Sequence, residues 1–260
     1  MYTVNMDKAW EESRRNKLIE ALNTGKNLDE TISSFAGFKD AFMHDLDELD
    51  CSDGRVLGAG KKISVAGQGI IASAADQENL IAACRGKVKC VTSHDDCGAA
   101  AVKFREMSAA GVAVPPGVKT ADDLGQWHSR NMAFKIGAAH RHIKAKDLLN
   151  PFHNERAICL DGTGRFNLAA LKDMPACFVS SAPGFNMSEE YYRTELRILS
   201  GIALGDHGFG RRFDARNPFY IIAIGENAEQ LSRLLAMAKV ATAEFSGRVE
   251  VRGLIRPSGD

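Results

Sequence analysis

Apolar positions recur along the chain at two different periods, and the switches between them mark the elements. Near the start, Trp10, Leu18, Ile19 and Leu22 return at helical spacing, Asp7 stands where an N-cap belongs, and Gly25 falls just past the end. A weaker helical stretch follows through Leu28, Ile32, Phe35 and Phe42, so residues 1–45 read as a helical N-terminal arm. Strands and helices then alternate. The segments 61–67, 87–94, 155–162, 175–182, 218–225 and 249–255 are short apolar runs that predict strands. Ser73 caps a helix through Leu80 and Ala83; 98–111 is a helix closed by Gly111; 121–146 reads as one long helical segment that stops before Pro151. Ser188 caps a helix over 188–204, and Asn227 with Gln230 opens another whose Leu231, Leu234, Leu235, Ala238 and Ala241 share a face.

Regular alternation of strand and helix argues an α/β fold: a mostly parallel sheet flanked by helices, in a single domain over 46–260 behind the arm. No linker, low-complexity segment or strong internal repeat interrupts it. Composition adds that the 260 residues, 45% hydrophobic, suffice for a large core. Lys and Arg (33) balance Asp and Glu (33), which argues against nucleic acid or an anionic membrane as partner. Apolar runs are far shorter than the ~20 residues that span a bilayer, and the start lacks the apolar core of a signal peptide. The expected compartment is the reducing cytoplasm.

That compartment bears on the six cysteines, Cys51, Cys84, Cys90, Cys97, Cys159 and Cys177, too few for a disulfide scaffold. Four sit inside helix or strand patterns and read as core. Cys51 and Cys97 do not. His94 closes a predicted strand and Cys97 opens the next helix, at the sheet edge where α/β folds bind ligands. The helix N-terminus favours the thiolate, and an imidazole and a thiolate across a tight turn suit one tetrahedral Zn²⁺. A third ligand must come from elsewhere, and Cys51 is the best candidate. It brings Asp53 and Arg55, which on an extended segment share a face and pair. Two Cys and one His leave one position open for water. Asp53 as a fourth ligand would instead make a closed structural site.

Cys51-x-Asp53-x-Arg55 followed by His94-x-x-Cys97-Gly98 resembles the β-class carbonic anhydrases. The resemblance implies that Cys51, His94 and Cys97 bind zinc and that the Asp53–Arg55 pair gates and orients the zinc-bound water. It implies interconversion of CO2 and bicarbonate through zinc-bound hydroxide, in a homodimer or higher assembly that the arm helps to build. The approach to Cys51, HDLDELD, is acidic where a common member has an apolar strand. About 160 residues follow Cys97, more than such members carry. The chain is thus more similar to the divergent branch of limiting-CO2-inducible proteins of algae and their bacterial relatives. A sister hydrolase of CS2 or COS, and a non-catalytic zinc-binding or bicarbonate-sensing homologue, are the alternatives.

Other features read more plainly. Cys159-Leu160-Asp161-Gly162 faintly echoes the first motif, but Arg165 is out of step. The loop Gly205–Gly210 holds His207 and is a candidate pocket wall or proton relay. His140, His142, Lys144 and Lys146 read as a solvated helix face, and Gly58-Ala59-Gly60-Lys61 lacks the rest of a P-loop.

Overall fold

The computed structural model describes residues 2–42, 46–56 and 61–257, so Gly58, Ala59 and Gly60 lie outside the described residues. The single helix expected from Asp7 to Leu22 is two. α1 (Tyr2–Arg14) runs through Asp7, which is therefore interior and not a cap. The chain then turns at Asn16, whose side chain accepts the Leu18 N–H at 2.9 Å and starts α2 (Lys17–Asn23); Asn27 does the same for α3 (Leu28–Ser33). Leu18, Ile19, Leu22, Ile32 and Phe35 pack with Ala157, Cys159, Tyr220 and Ile222, so the arm covers one face of a sheet that must be buried on both. Trp10 stands edge-on to Phe209 and Phe213, at 5.0 and 5.3 Å, with the Arg156 guanidinium 4.2 Å over its ring. Within the chain, the arm thus lies on the later half of its own fold.

The α/β class and the parallel ladders are as expected, in two sheets. β1 (Glu48–Asp50), β2 (Lys62–Ser64), β3 (Cys90–His94) and β4 (Ala139–Ile143) form one, in the order β2-β1-β3-β4. β5 (Ala157–Asp161), β6 (Cys177–Ser180), β7 (Phe219–Gly225) and β8 (Val249–Ile255) form the other, in the order β6-β5-β7-β8. Between the strands run α4 (Ala74–Cys84), α5 (Gly98–Ala109), α6 (Ala121–Ile136), α7 (Glu189–Leu204) and α8 (Ala228–Ala241). The chain therefore traces the same parallel strand order twice. The halves are joined by backbone bonds, Val179 N–H to Ser52 O (3.1 Å) and Ser181 N–H to Ser64 O (2.7 Å). They share one core in which Leu49, Ile63 and Leu80 meet Ile158, Phe178 and Leu196.

Two local features differ from expectation. The acidic approach to Cys51 is a strand after all: Leu49 is fully buried, and Lys62 on the neighbouring strand pairs with Asp50 and, at 3.5 Å, with Glu48. The helix expected over 121–146 stops at Ile136, because Gly137 takes φ +83° and turns the chain into β4. His140 and His142 are therefore strand residues and not a solvated helix face. His142 lies between Ser93 Oγ (2.9 Å) and Asp95 Oδ1 (2.8 Å), and His140 reaches Ser93 Oγ at 3.1 Å. Among the described residues, no helix is long and apolar enough to cross a membrane.

Candidate metal centre

Three segments converge at the carboxyl end of the first sheet. Cys51 is the first residue past β1, His94 the last of β3, and Cys97 the N-cap of α5. The turn between the last two is tight because Asp96 takes φ +57°, held by its N–H on Asp122 Oδ1 at 2.9 Å. The ligand atoms of Cys51, His94 and Cys97 lie within 4.8 Å of one another, and all three residues are buried. Their sulfurs are 3.9 Å apart. Two thiolates at the ~2.3 Å of zinc–sulfur bonds stand about 3.8 Å apart across a tetrahedral angle, so the spacing needs no adjustment. His94 Nδ1 lies 2.7 Å from the Asp95 carbonyl, which can only accept, so Nδ1 carries a proton and Nε2 is the atom left to bind a metal. That Nε2 is buried with no protein partner.

The electrostatics favour a cation here. The hydrogen bond between the two sulfurs pushes the Cys51 thiol up and Cys97 down, Cys97 also receiving help from backbone N–H groups of α5. Burial works against a charged His94, yet the Cys51 sulfur and the Asp53 carboxylate hold the ring up at about 9. Gly67 adds an N–H to Cys51 Sγ at 3.2 Å. It can do so because the backbone turns left-handed there, φ +53°, where a Cβ would come within 2.7 Å of Ile70. Gln68 is left-handed too (φ 52°), and three bonds hold it: Nε2 to Thr92 O, Ser129 Oγ to Oε1, and His128 Nε2 to its carbonyl.

Asp53 and Arg55 pair, but on a turn and not on an extended segment. Gly54–Val56 is a short 3-10 helix, and Asp53 Oδ1 accepts the Arg55 backbone N–H at 2.9 Å. The side chains then meet through Nε (3.1 and 3.2 Å) and Nη2 (2.7 Å), both 5% exposed. Burial opposes the Asp53 charge, but His153, His94 and Arg55 hold its carboxyl at about 2. Its Oδ2 is 3.9 Å from His94 Nε2.

His153 and Glu155 are not legible in the sequence, since a His and a Glu two apart in a loop carry no diagnostic pattern. His153 Nδ1 lies 3.2 Å from Glu155 Oε2 and 3.9 Å from Asp53 Oδ1. Asp53, His153 and Glu155 form a second buried group spaced to hold a metal ion. Arg55 already occupies the Asp53 carboxylate, which opposes its use as a ligand to a dication in this group. A cavity of about 550 Å³ opens over the site, walled by Arg55, Cys97, Asp122, His153, Ile202 and His207. The Gly205–Gly210 loop therefore reaches the cavity. Gly208 is required there, because a Cβ would fall 2.1 Å from the His153 carbonyl.

Of the other cysteines, Cys84, Cys159 and Cys177 are buried and Cys90 is half-buried; burial pushes the Cys84 thiol up to about 12. Register explains the echo at Cys159. Glu48 is opposite Cys90 and Ala157 opposite Tyr220, and the helix caps Cys97 and Asn227 stand equally far beyond. Leu160, Ile224 and Asn227 therefore occupy the places of Cys51, His94 and Cys97 in the second half. Cys159 is one residue out of step and faces the arm. Comparison with protein-family models, with curated proteins and with solved structures finds no match to the chain.

Proposed function

We propose that Cys51, His94 and Cys97 bind one zinc ion and that the chain is a carbonic anhydrase, as the β-class resemblance of these residues implies. The observation that carries this reading is the buried, unpartnered His94 Nε2 beside two sulfurs at zinc spacing. Bound there, zinc supplies a Lewis acid that makes water acidic enough to add to CO2 near neutral pH. The remaining work belongs to the chain. Asp53, ionised down to about pH 2, accepts a hydrogen bond and so orients a donor in the open position. Arg55 holds both oxygens of that carboxylate and keeps it from becoming a fourth ligand, which opposes a closed structural site. Adding water to CO2 gives bicarbonate and one proton. With Nδ1–H on Glu155, His153 keeps Nε2 free to take that proton at the cavity wall, and exposed His207 stands beyond it.

The test is stopped-flow CO2 hydration by zinc-loaded protein. Wild-type protein should accelerate hydration, and His94→Ala should abolish both zinc retention and activity. Zinc-loaded wild-type protein no faster than buffer contradicts the reading.

A further inference from the structure

Glu195 lies in the middle of α7, in the second half of the fold, and is fully buried. Its Oε1 accepts the Ser52 hydroxyl at 2.7 Å and the Ala66 N–H, and its Oε2 accepts the Ser180 hydroxyl. Ser52 follows Cys51. Ala66 precedes Gly67, whose N–H donates to Cys51 Sγ. One carboxylate oxygen therefore ties together the segment that carries a sulfur and the segment that donates to it. The other oxygen anchors both to β6 of the second sheet.

The duplicated topology shows that the fold itself does not ask for a carboxylate here. α4 and α7 are equivalent helices: Ser73 and Ser188 each cap with a hydroxyl bonded to the N–H three residues on. Counting equally far from each cap, the counterpart of Glu195 is Leu80, which is also fully buried. Leu80 belongs to the half that carries the Cys and His residues. Glu195 belongs to the half where Leu160, Ile224 and Asn227 replace them. A buried carboxylate is costly unless fully bonded, so its presence on one side of the pair calls for a local reason. The polar clamp reaches toward the Cys51, His94 and Cys97 group.

We propose that Glu195 is a positioning residue for the metal centre, through which the second half sets Cys51 and its Gly67 donor before metal arrives. The inference rests on the zinc reading of Cys51, His94 and Cys97. Outer-shell partners of this kind commonly govern metal affinity by about 10- to 100-fold.

The experiment compares full-length wild-type protein with Glu195→Leu, which installs the sister residue, and with Glu195→Gln. Zinc affinity is measured by chelator competition, and the thiolate charge-transfer bands of Co²⁺ report the ligand geometry. Glu195→Leu leaves the Ser52 and Ser180 hydroxyls and the Ala66 N–H without their acceptor and should unfold at a lower temperature in chelator than wild type, and where folded it should bind zinc about tenfold or more weakly with altered Co²⁺ bands. Glu195→Gln keeps an acceptor for the Ala66 N–H and a donor for Ser180, and should recover most of the affinity. Should Glu195→Leu not fold, Ser52→Ala carries the test by cutting the link next to Cys51, and weaker zinc binding is expected. Wild-type affinity in whichever variant carries the test overturns the role of Glu195 and leaves the zinc reading intact. Wild-type protein that takes up neither metal overturns both.

Discussion

In the proposed function, Arg55 is the residue on which an open metal position depends. With its Nε and Nη2 on Asp53, the carboxylate is held in place; without them, an ionised, buried oxygen stands 3.9 Å from the His94 ring nitrogen. Arg55→Ala should therefore keep about one zinc per chain and lose CO2 hydration by about tenfold or more, because Asp53 closes the position. Metal content and stopped-flow rates on the same sample check this; near-normal turnover would sink the gating role. The five residues first singled out carry their chemistry in type and spacing: sulfur and imidazole flanking a turn, acid and base two apart. Gln68, His153, Glu155 and Glu195 were not legible in that way. Each reaches the site through partners distant in the chain, Glu195 through Ser52 and the His153–Glu155 pair through Asp53, so only the folded chain brings them there.

At the scale of elements, α6 is coupled to the left-handed turn behind Cys51 through His128. Its Nε2 donates to the Gln68 carbonyl at 3.1 Å, and burial presses the ring down to about 4. In the unfolded chain the same ring titrates near 6.5, so between about 6.5 and 4 the unfolded state binds the extra proton. The neutral ring's contribution is thus whole above pH 6.5 and is lost as pH falls toward 4, on the order of 3 kcal/mol in all. Urea unfolding at pH 7 and pH 5 should show a loss for wild type about 2 kcal/mol larger than for His128→Gln. Equal losses in the two proteins would remove His128 from the acid response. Element boundaries were legible where caps and periodicity agreed, as at Ser73, Ser188 and Asn227. They were not legible at Asn16, a cap hidden inside one apolar rhythm, or at Gly137, where a polar edge strand continued the helical reading. β1 was obscured because its acids are matched by Lys62, on the next strand.

At the scale of the whole molecule, two runs of the same strand order share one core, and among the described residues the Cys51, His94 and Cys97 group lies in the first. The duplication left little trace in the sequence, because equivalent positions keep their place in the fold and not their identity: Cys51 answers to Leu160, and buried Cys97 to exposed Asn227. The arm belongs to this level too. Trp10 is 7% exposed between Phe209, Phe213 and Arg156, so Trp10→Ala should cost about 3 kcal/mol in urea unfolding; a cost under about 1 kcal/mol would mean that α1 is not docked there. The proposed function, however, turns on the three proposed ligands. X-ray absorption at the zinc edge of the purified protein addresses them directly: the account predicts two sulfurs at about 2.3 Å with nitrogen or oxygen at about 2.0–2.1 Å, the sulfur shell losing one member in Cys51→Ser or Cys97→Ser. A first shell of nitrogen and oxygen alone, or one unchanged by either substitution, would contradict it.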